Sequence, residues 1–200
     1  LGTGRFGALT LNVYGGTLDL ANSDQALTIA GDNAISGAGS ILKSGVADVT
    51  ISGSNVNYTG ATTVSEGKLI LGIQDALGTQ GQIIVGADTA SLVFDTAGGA
   101  GDWNSVTKVV AGDSGRWIIQ AGGEVVDLAT NTFGGILQLE DSALLTLSGN
   151  GSIANVTAIE LGDFSELTFS KGSASATLGA ANMVLSGTGT IVKEGTGTLT

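Results

Sequence analysis

Apolar and polar residues alternate along this chain in short bursts. Apolar-x-apolar triplets recur as Leu9/Leu11, Leu18/Leu20, Leu27/Ile29, Val49/Ile51, Leu69/Leu71, Leu92/Phe94, Trp117/Ile119, Leu137/Leu139, Leu145/Leu147, Leu167/Phe169 and Met183/Leu185. A period of two sends every second side chain to the same face, so each triplet predicts a short strand buried on one side. Sustained apolar 3,4 spacing is scarce and Gly interrupts most windows of a dozen residues, so no helix is predicted. Triplets starting at 9, 18 and 27, at 137, 145 and 153, and at 183, 191 and 199 step by eight or nine residues. Such evenly spaced short strands belong to a sandwich, a barrel or a solenoid.

Composition decides among the three. Gly supplies 34 of the 200 residues, yet 42% of the chain is hydrophobic, with two Trp, two Tyr and five Phe. The core must therefore come from Leu, Ile, Val and Ala. A sandwich needs bulky residues to fill a gap of about 10 Å and favours repeated hairpin turns, whereas Asn150-Gly151 is the one Asn-Gly here. A solenoid instead stacks each strand on its equivalent one coil away, and three strands of about eight residues each close a coil, giving on the order of eight coils. Gly15-Gly16 before Leu18 and Gly134-Gly135 before Leu137 mark corners that turn with positive φ. The expected fold is a single all-β parallel solenoid over residues 1–200, with Leu69, Leu71, Leu137, Leu139, Leu145 and Leu147 pointing inward.

What the chain lacks narrows its chemistry. With no His and no Cys, it has no imidazole base, no Ser/His/Asp or Cys/His nucleophile, no ordinary zinc site and no disulfide framework. Net charge is −11, and the seven basic residues, Arg5, Lys43, Lys68, Lys108, Arg116, Lys171 and Lys193, are scattered. Nucleic acid and anionic membranes are therefore poor partners. The opening Leu1-Gly2-Thr3-Gly4 has neither an initiating Met nor a signal-peptide pattern, so the chain is expected to be a piece of a longer one.

One stretch is more specific than the rest. Gly37-Ala38-Gly39-Ser40-Ile41-Leu42-Lys43-Ser44-Gly45 leads to Val49-Thr50-Ile51-Ser52-Gly53, then to Tyr58-Thr59-Gly60-Ala61-Thr62-Thr63-Val64 and Gly67-Lys68-Leu69-Ile70-Leu71-Gly72. Its opening returns as Gly187-Thr188-Gly189-Thr190-Ile191-Val192-Lys193-Glu194-Gly195, followed by Leu199-Thr200, and Gly149-Asn150-Gly151-Ser152-Ile153 is an echo without the Lys. This pattern resembles the autotransporter-associated β-strand repeat, complete over 37–72 and begun again over 187–200. It departs from that repeat by one extra residue between Asn55 and Tyr58 and by Lys68 where Thr is usual.

The resemblance implies a right-handed parallel β-helix that forms part of a secreted autotransporter passenger on the surface of a Gram-negative bacterium. Its parent chain would carry a C-terminal outer-membrane β-barrel. The implied role is a rigid stalk or adhesin serving adhesion, self-association or virulence, with a protein or glycan of a host or bacterial surface, or a second copy, as partner. The alternative is a β-helical hydrolase or lyase acting on polysaccharide. Within the repeat, Thr hydroxyls are expected outward with Val and Ile inward, Asn55 in a turn ladder, and Tyr58 in the core or at a corner.

No catalytic residue, cofactor site or metal site is assigned. Gly98-Gly99-Ala100-Gly101-Asp102 is similar to a calcium-binding nonapeptide, but its Asp arrives one residue early and the unit does not recur. Glu140 and Asp141 are adjacent and, on a strand, would face opposite sides. Trp103, Trp117 and Phe133 offer a possible aromatic contact strip; Trp117, alternating with Ile119, is expected in the core, which leaves Trp103 as the surface-contact candidate.

Overall fold

Each apolar triplet becomes a strand because β-branched and Leu side chains fit a pleated surface whose other face is wet. In the computed structural model, residues 10–30, 34–53, 56–73, 76–77, 82–95, 103–106 and 108–200 are described. The first three passes each hold three strands: β1 (Thr10–Asn12), β2 (Thr17–Asp19) and β3 (Leu27–Ile29); β4 (Ala34–Gly37), β5 (Ser40–Lys43) and β6 (Val49–Ile51); β7 (Val56–Tyr58), β8 (Thr62–Val64) and β9 (Gly67–Leu71). The middle passes hold β10 (Ile83–Val85) and β11 (Ala90–Phe94), then β12 (Trp103–Val106), β13 (Val110–Ala111) and β14 (Arg116–Ile119). The last hold β15 (Glu124–Asp127) and β16 (Ile136–Leu139), β17 (Leu144–Ser148) and β18 (Ala158–Leu161), β19 (Glu166–Ser170) and β20 (Val184–Gly187), and finally β21 (Thr190–Glu194).

Every pairing is parallel, and the strands stack as a β-solenoid. One eight-stranded sheet, β20-β18-β16-β14-β11-β9-β6-β3, runs its whole length through seven successive turns. Its inward column reads Leu27, Val49, Leu69, Leu92, Trp117, Leu137, Ile159 and Leu185 in direct register. Neighbours in that column are 20 to 26 residues apart, close to the coil length expected from three eight-residue strands. Leu69, Leu71, Leu137, Leu139, Leu145 and Leu147 are all buried, as their alternation requires.

Three strands per coil holds only in the first part of the chain. There, a three-stranded sheet (β1-β4-β7) and a five-stranded sheet (β13-β10-β8-β5-β2) form the other sides; a second five-stranded sheet, β12-β15-β17-β19-β21, starts at β12, and the first five-stranded sheet ends at β13 in the same pass. On the third side of the later coils, the ladder shrinks to the isolated bridges Thr130↔Ser152 and Ala176↔Leu199.

Midway along the chain the core is aromatic. Trp117 packs edge-on against Phe94 at 5.7 Å and Phe133 at 6.4 Å between ring centroids, and all three are buried. Phe133 therefore belongs to the core with Trp117, not to a surface strip. Burying side chains of this size stabilises by roughly 1.5–3 kcal/mol each. Inside the repeat, Tyr58 is buried and shares a hydrogen bond with the Thr62 hydroxyl, and burial pushes its phenol up to about 12. Thr62 is thus an exception to the outward-Thr expectation: it faces inward because a buried phenol needs a partner. Asn55 lies outside the described residues.

The corners confirm one glycine expectation and correct another. Gly16 turns with φ +96°, but neither Gly134 nor Gly135 has positive φ. Gly135 is required for close approach instead, since a Cβ there would lie 2.4 Å from the Gly115 carbonyl oxygen.

Candidate functional site

The outward side chains of the long sheet change character along its length. One register column reads Thr28, Thr50, Ile70, Val93, Ile118, Gln138, Glu160 and Ser186. It is polar at the start, apolar over three strands, then polar again. Val93 and Ile118 are buried although they point away from the solenoid interior.

Where the column turns polar, an open groove of about 510 Å³ lies across β16, β18 and β20 and the turns that follow them. Gln138, Glu160 and Ser186 form its floor, and Glu140, Asp141 and Gly162 its rim. Glu140 and Asp141 are not on a strand, since β16 ends at Leu139. They occupy the turn and both line the groove, which overturns the expectation that they face opposite sides. The alternation rule fails there because the backbone has left the pleated conformation.

Each carboxylate has a defined partner. Arg116 Nη1 donates to Glu160 Oε2 at 2.6 Å and to Gln138 Oε1 at 2.9 Å, and Nη2 donates to Glu160 Oε1 at 3.3 Å. The guanidinium thus ties three consecutive strands of the sheet together. Among the described residues Glu140 accepts only the Ala121 N–H at 3.1 Å, and Asp141 Oδ1 accepts the Asp163 N–H at 3.0 Å. Neither pairs with a Lys or Arg among the described residues.

The turns beside the groove stack in a column of their own. Gly122, Ser142 and Phe164 sit at equivalent places in successive coils with φ of +69°, +61° and +59°. The Gly122 N–H donates to the Asp141 carbonyl at 3.0 Å and the Ser142 N–H to the Asp163 carbonyl at 2.8 Å, which links the three turns. Phe164 is 87% exposed.

Two further polar clusters are buried, and both hold the fold. Lys43 Nζ donates to the carbonyls of Gly45 at 2.6 Å and Glu66 at 2.9 Å, while its stem lies in the interior. Burial lowers its pKa, opposed by the nearby Asp48, Glu66 and Asp19 charges. Asp127 Oδ1 accepts the Ala129 N–H at 2.9 Å and Oδ2 accepts Asn131 Nδ2 at 2.5 Å; Asn131 Oδ1 in turn accepts the Val110 N–H at 2.8 Å. Burial pushes the Asp127 carboxyl up to about 6, against those hydrogen bonds and the Lys171 charge. Asn131 plays the coil-to-coil role expected of Asn55, and it was not legible because no repeat marks its position.

Trp103 opens β12, whose backbone pairs with β15; its side chain lies outside the described residues. The 98–102 segment lies outside them too. Among the described residues, no group of three or more Asp, Glu, His or Cys is placed to hold a metal ion.

Sequence reasoning missed the groove because its floor comes from residues about 22 apart that only the coil period aligns, and it missed Phe164 because an isolated turn aromatic carries no periodic signal. Compared with protein-family models, with curated proteins and with solved structures, the chain matches none.

Proposed function

We propose that this chain is a segment of a secreted passenger of the autotransporter type, displayed on a Gram-negative cell as a rigid β-helical stalk or adhesin. One observation carries this reading. The two stretches that resemble the autotransporter-associated repeat, 37–45 and 187–195, adopt the same conformation in different coils. Gly37 and Gly187 have φ of +110° and +106°, and Gly45 and Gly195 have +85° and +75°. The lysine of each donates to the carbonyl of the glycine two residues on at 2.6 Å. In both stretches the repeated residues serve turning and stacking, which is what a length-building module needs.

A solenoid of parallel coils suits passage through a pore, because it folds by adding coils without a long-range closing step. The open groove suits contact with a partner's surface more than enclosure of a transition state. Antibody raised against the segment should label intact source cells, and external protease should remove the label. Labelling that appears only after lysis would end this reading. The polysaccharide-enzyme alternative draws on the groove carboxylates: turnover of a polysaccharide, abolished by E140Q or E160Q with folding intact, would establish it instead.

A further inference from the structure

The connection from β17 to β18 carries one short pattern twice, as Asn150-Gly151-Ser152 and Asn155-Val156-Thr157. An Asn followed two residues on by Ser or Thr, with any residue but Pro between, is the acceptor pattern for N-linked sugar. The hydroxyl is needed because the transferase uses it to hold the reacting amide in place.

The fold presents both asparagines in the same way. The Gly151 N–H donates to the Ser148 carbonyl at 2.8 Å and the Val156 N–H to the Ile153 carbonyl at 3.1 Å. Each bond closes a β-turn with the Asn in its third position. Packing behind the turns leaves the asparagines outside. Ile153 and Val156 are buried in the core, and a Cβ at Gly151 would lie 2.3 Å from the Asp127 carbonyl oxygen of the coil below. Asn150 and Asn155 are exposed, and among the described residues neither side-chain amide makes a hydrogen bond. Asn22 and Asn131, by contrast, are spent within the fold, their amides donating to the Gln25 carbonyl and to Asp127.

A third copy of the pattern, Asn57-Tyr58-Thr59, is placed differently. Asn57 is exposed too, but it lies within β7 in register with Ser36, and its neighbour Tyr58 is buried. That strand takes its shape from the coil beside it. A turn forms from its own four residues and is present even before coils have stacked.

We infer that Asn150 and Asn155 are paired attachment sites for N-linked sugar. Nδ2 of each attacks the anomeric carbon of a sugar diphosphate held by a transferase. A bond forms from nitrogen to that carbon, and the bond from the carbon to the diphosphate oxygen breaks. The diphosphate leaves with the electron pair, and the amide proton passes to a base of the transferase. The sugars cover the side of the later coils where an isolated bridge, Thr130↔Ser152, stands in place of a ladder. Backbone so little paired is the first that a protease reaches. This inference goes beyond surface display and does not require it.

The test isolates the protein from lysed source cells and sequences peptides spanning both turns by mass spectrometry with electron-transfer fragmentation, which leaves sugar on its residue. Asn150 and Asn155 should both carry added sugar, with occupancy at Asn57 several-fold lower. A nucleotide-linked donor gives increments of single sugars and a lipid-linked donor one fixed block, so the increments tell which diphosphate leaves. S152A should remove the sugar from Asn150 alone and T157A from Asn155 alone, since each keeps the Asn and deletes its hydroxyl. N150Q and N155Q should do the same, and circular dichroism checks the fold of all four. Bare asparagine at both positions, aspartate without sugar, sugar on Ser or Thr instead, or occupancy unchanged in S152A and T157A would each overturn the sites. Equal occupancy at Asn57 would overturn selection by the turns. Sugar in place on a protein that antibody fails to label on intact cells would overturn display and leave the sites standing.

Discussion

The stretches 37–45 and 187–195 are locally alike, yet one lysine is sealed and the other is not. Lys43 is fully buried and reaches a third carbonyl, that of Glu66, in the next coil. Lys193 makes the same bond to its own glycine, and within this segment no strand is stacked on the far edge of β21 to cover it. Conformation at these turns is therefore written in the nine residues themselves, while burial is conferred by the coil stacked above. The glycines look the other way, toward the coil below. A Cβ at Gly45 would lie 2.5 Å from the Asn22 carbonyl oxygen, and one at Gly195 would lie 2.1 Å from that of Gly172.

That asymmetry can be broken with four variants. G45A and G195A should both destabilise, by about 2–4 kcal/mol each, because each forces a positive-φ backbone and a clash with a coil present in both cases. K43M should cost about 3 kcal/mol by emptying the place of a buried side chain and orphaning half-buried carbonyls, and K193M no more than about 0.5 kcal/mol. Chemical denaturation followed by circular dichroism measures all four. Equal effects of the two lysine substitutions would show that the Glu66 bond adds nothing.

Asp127 extends the comparison to a buried acid whose hydrogen-bond partners, Ala129 and Asn131, both come from its own coil. Its folded pKa of about 6 lies above the usual 3.8, so the folded state holds the extra proton between those values. Its contribution to stability is therefore greatest at low pH, falls as pH rises from about 4 to about 6, and stays low above that. Over this window the effect is on the order of 3 kcal/mol. The melting temperature of wild type minus that of D127N should thus rise on going from pH 7.5 to pH 5. A pH-independent difference would place the Asp127 charge in water.

The smallest effect is expected where the turn residue suits its neighbours least. F164G should raise stability by about 0.5–1 kcal/mol, since relief of left-handed strain outweighs the added freedom of the unfolded chain. In a chain of this length that is a shift of a few degrees in melting temperature. A fall of similar size would show that the ring supports its own coil.

The sequence alone determined the strand type, the inward Leu columns, the coil length and the equivalence of 37–45 with 187–195. These follow from period-two alternation and fixed glycine spacing, which are local or repeat at a constant interval. Tertiary structure decided what depends on which coil lies beside which. It brought Gln138, Glu160 and Ser186 into one column, turned Glu140 and Asp141 toward the same groove, drew Thr62 inward to meet Tyr58, and sealed Lys43 beneath the next coil. Alternation along a strand tells which face a residue takes, but only the stacking of parallel coils, each about 22 residues further along the chain, sets its neighbours on that face.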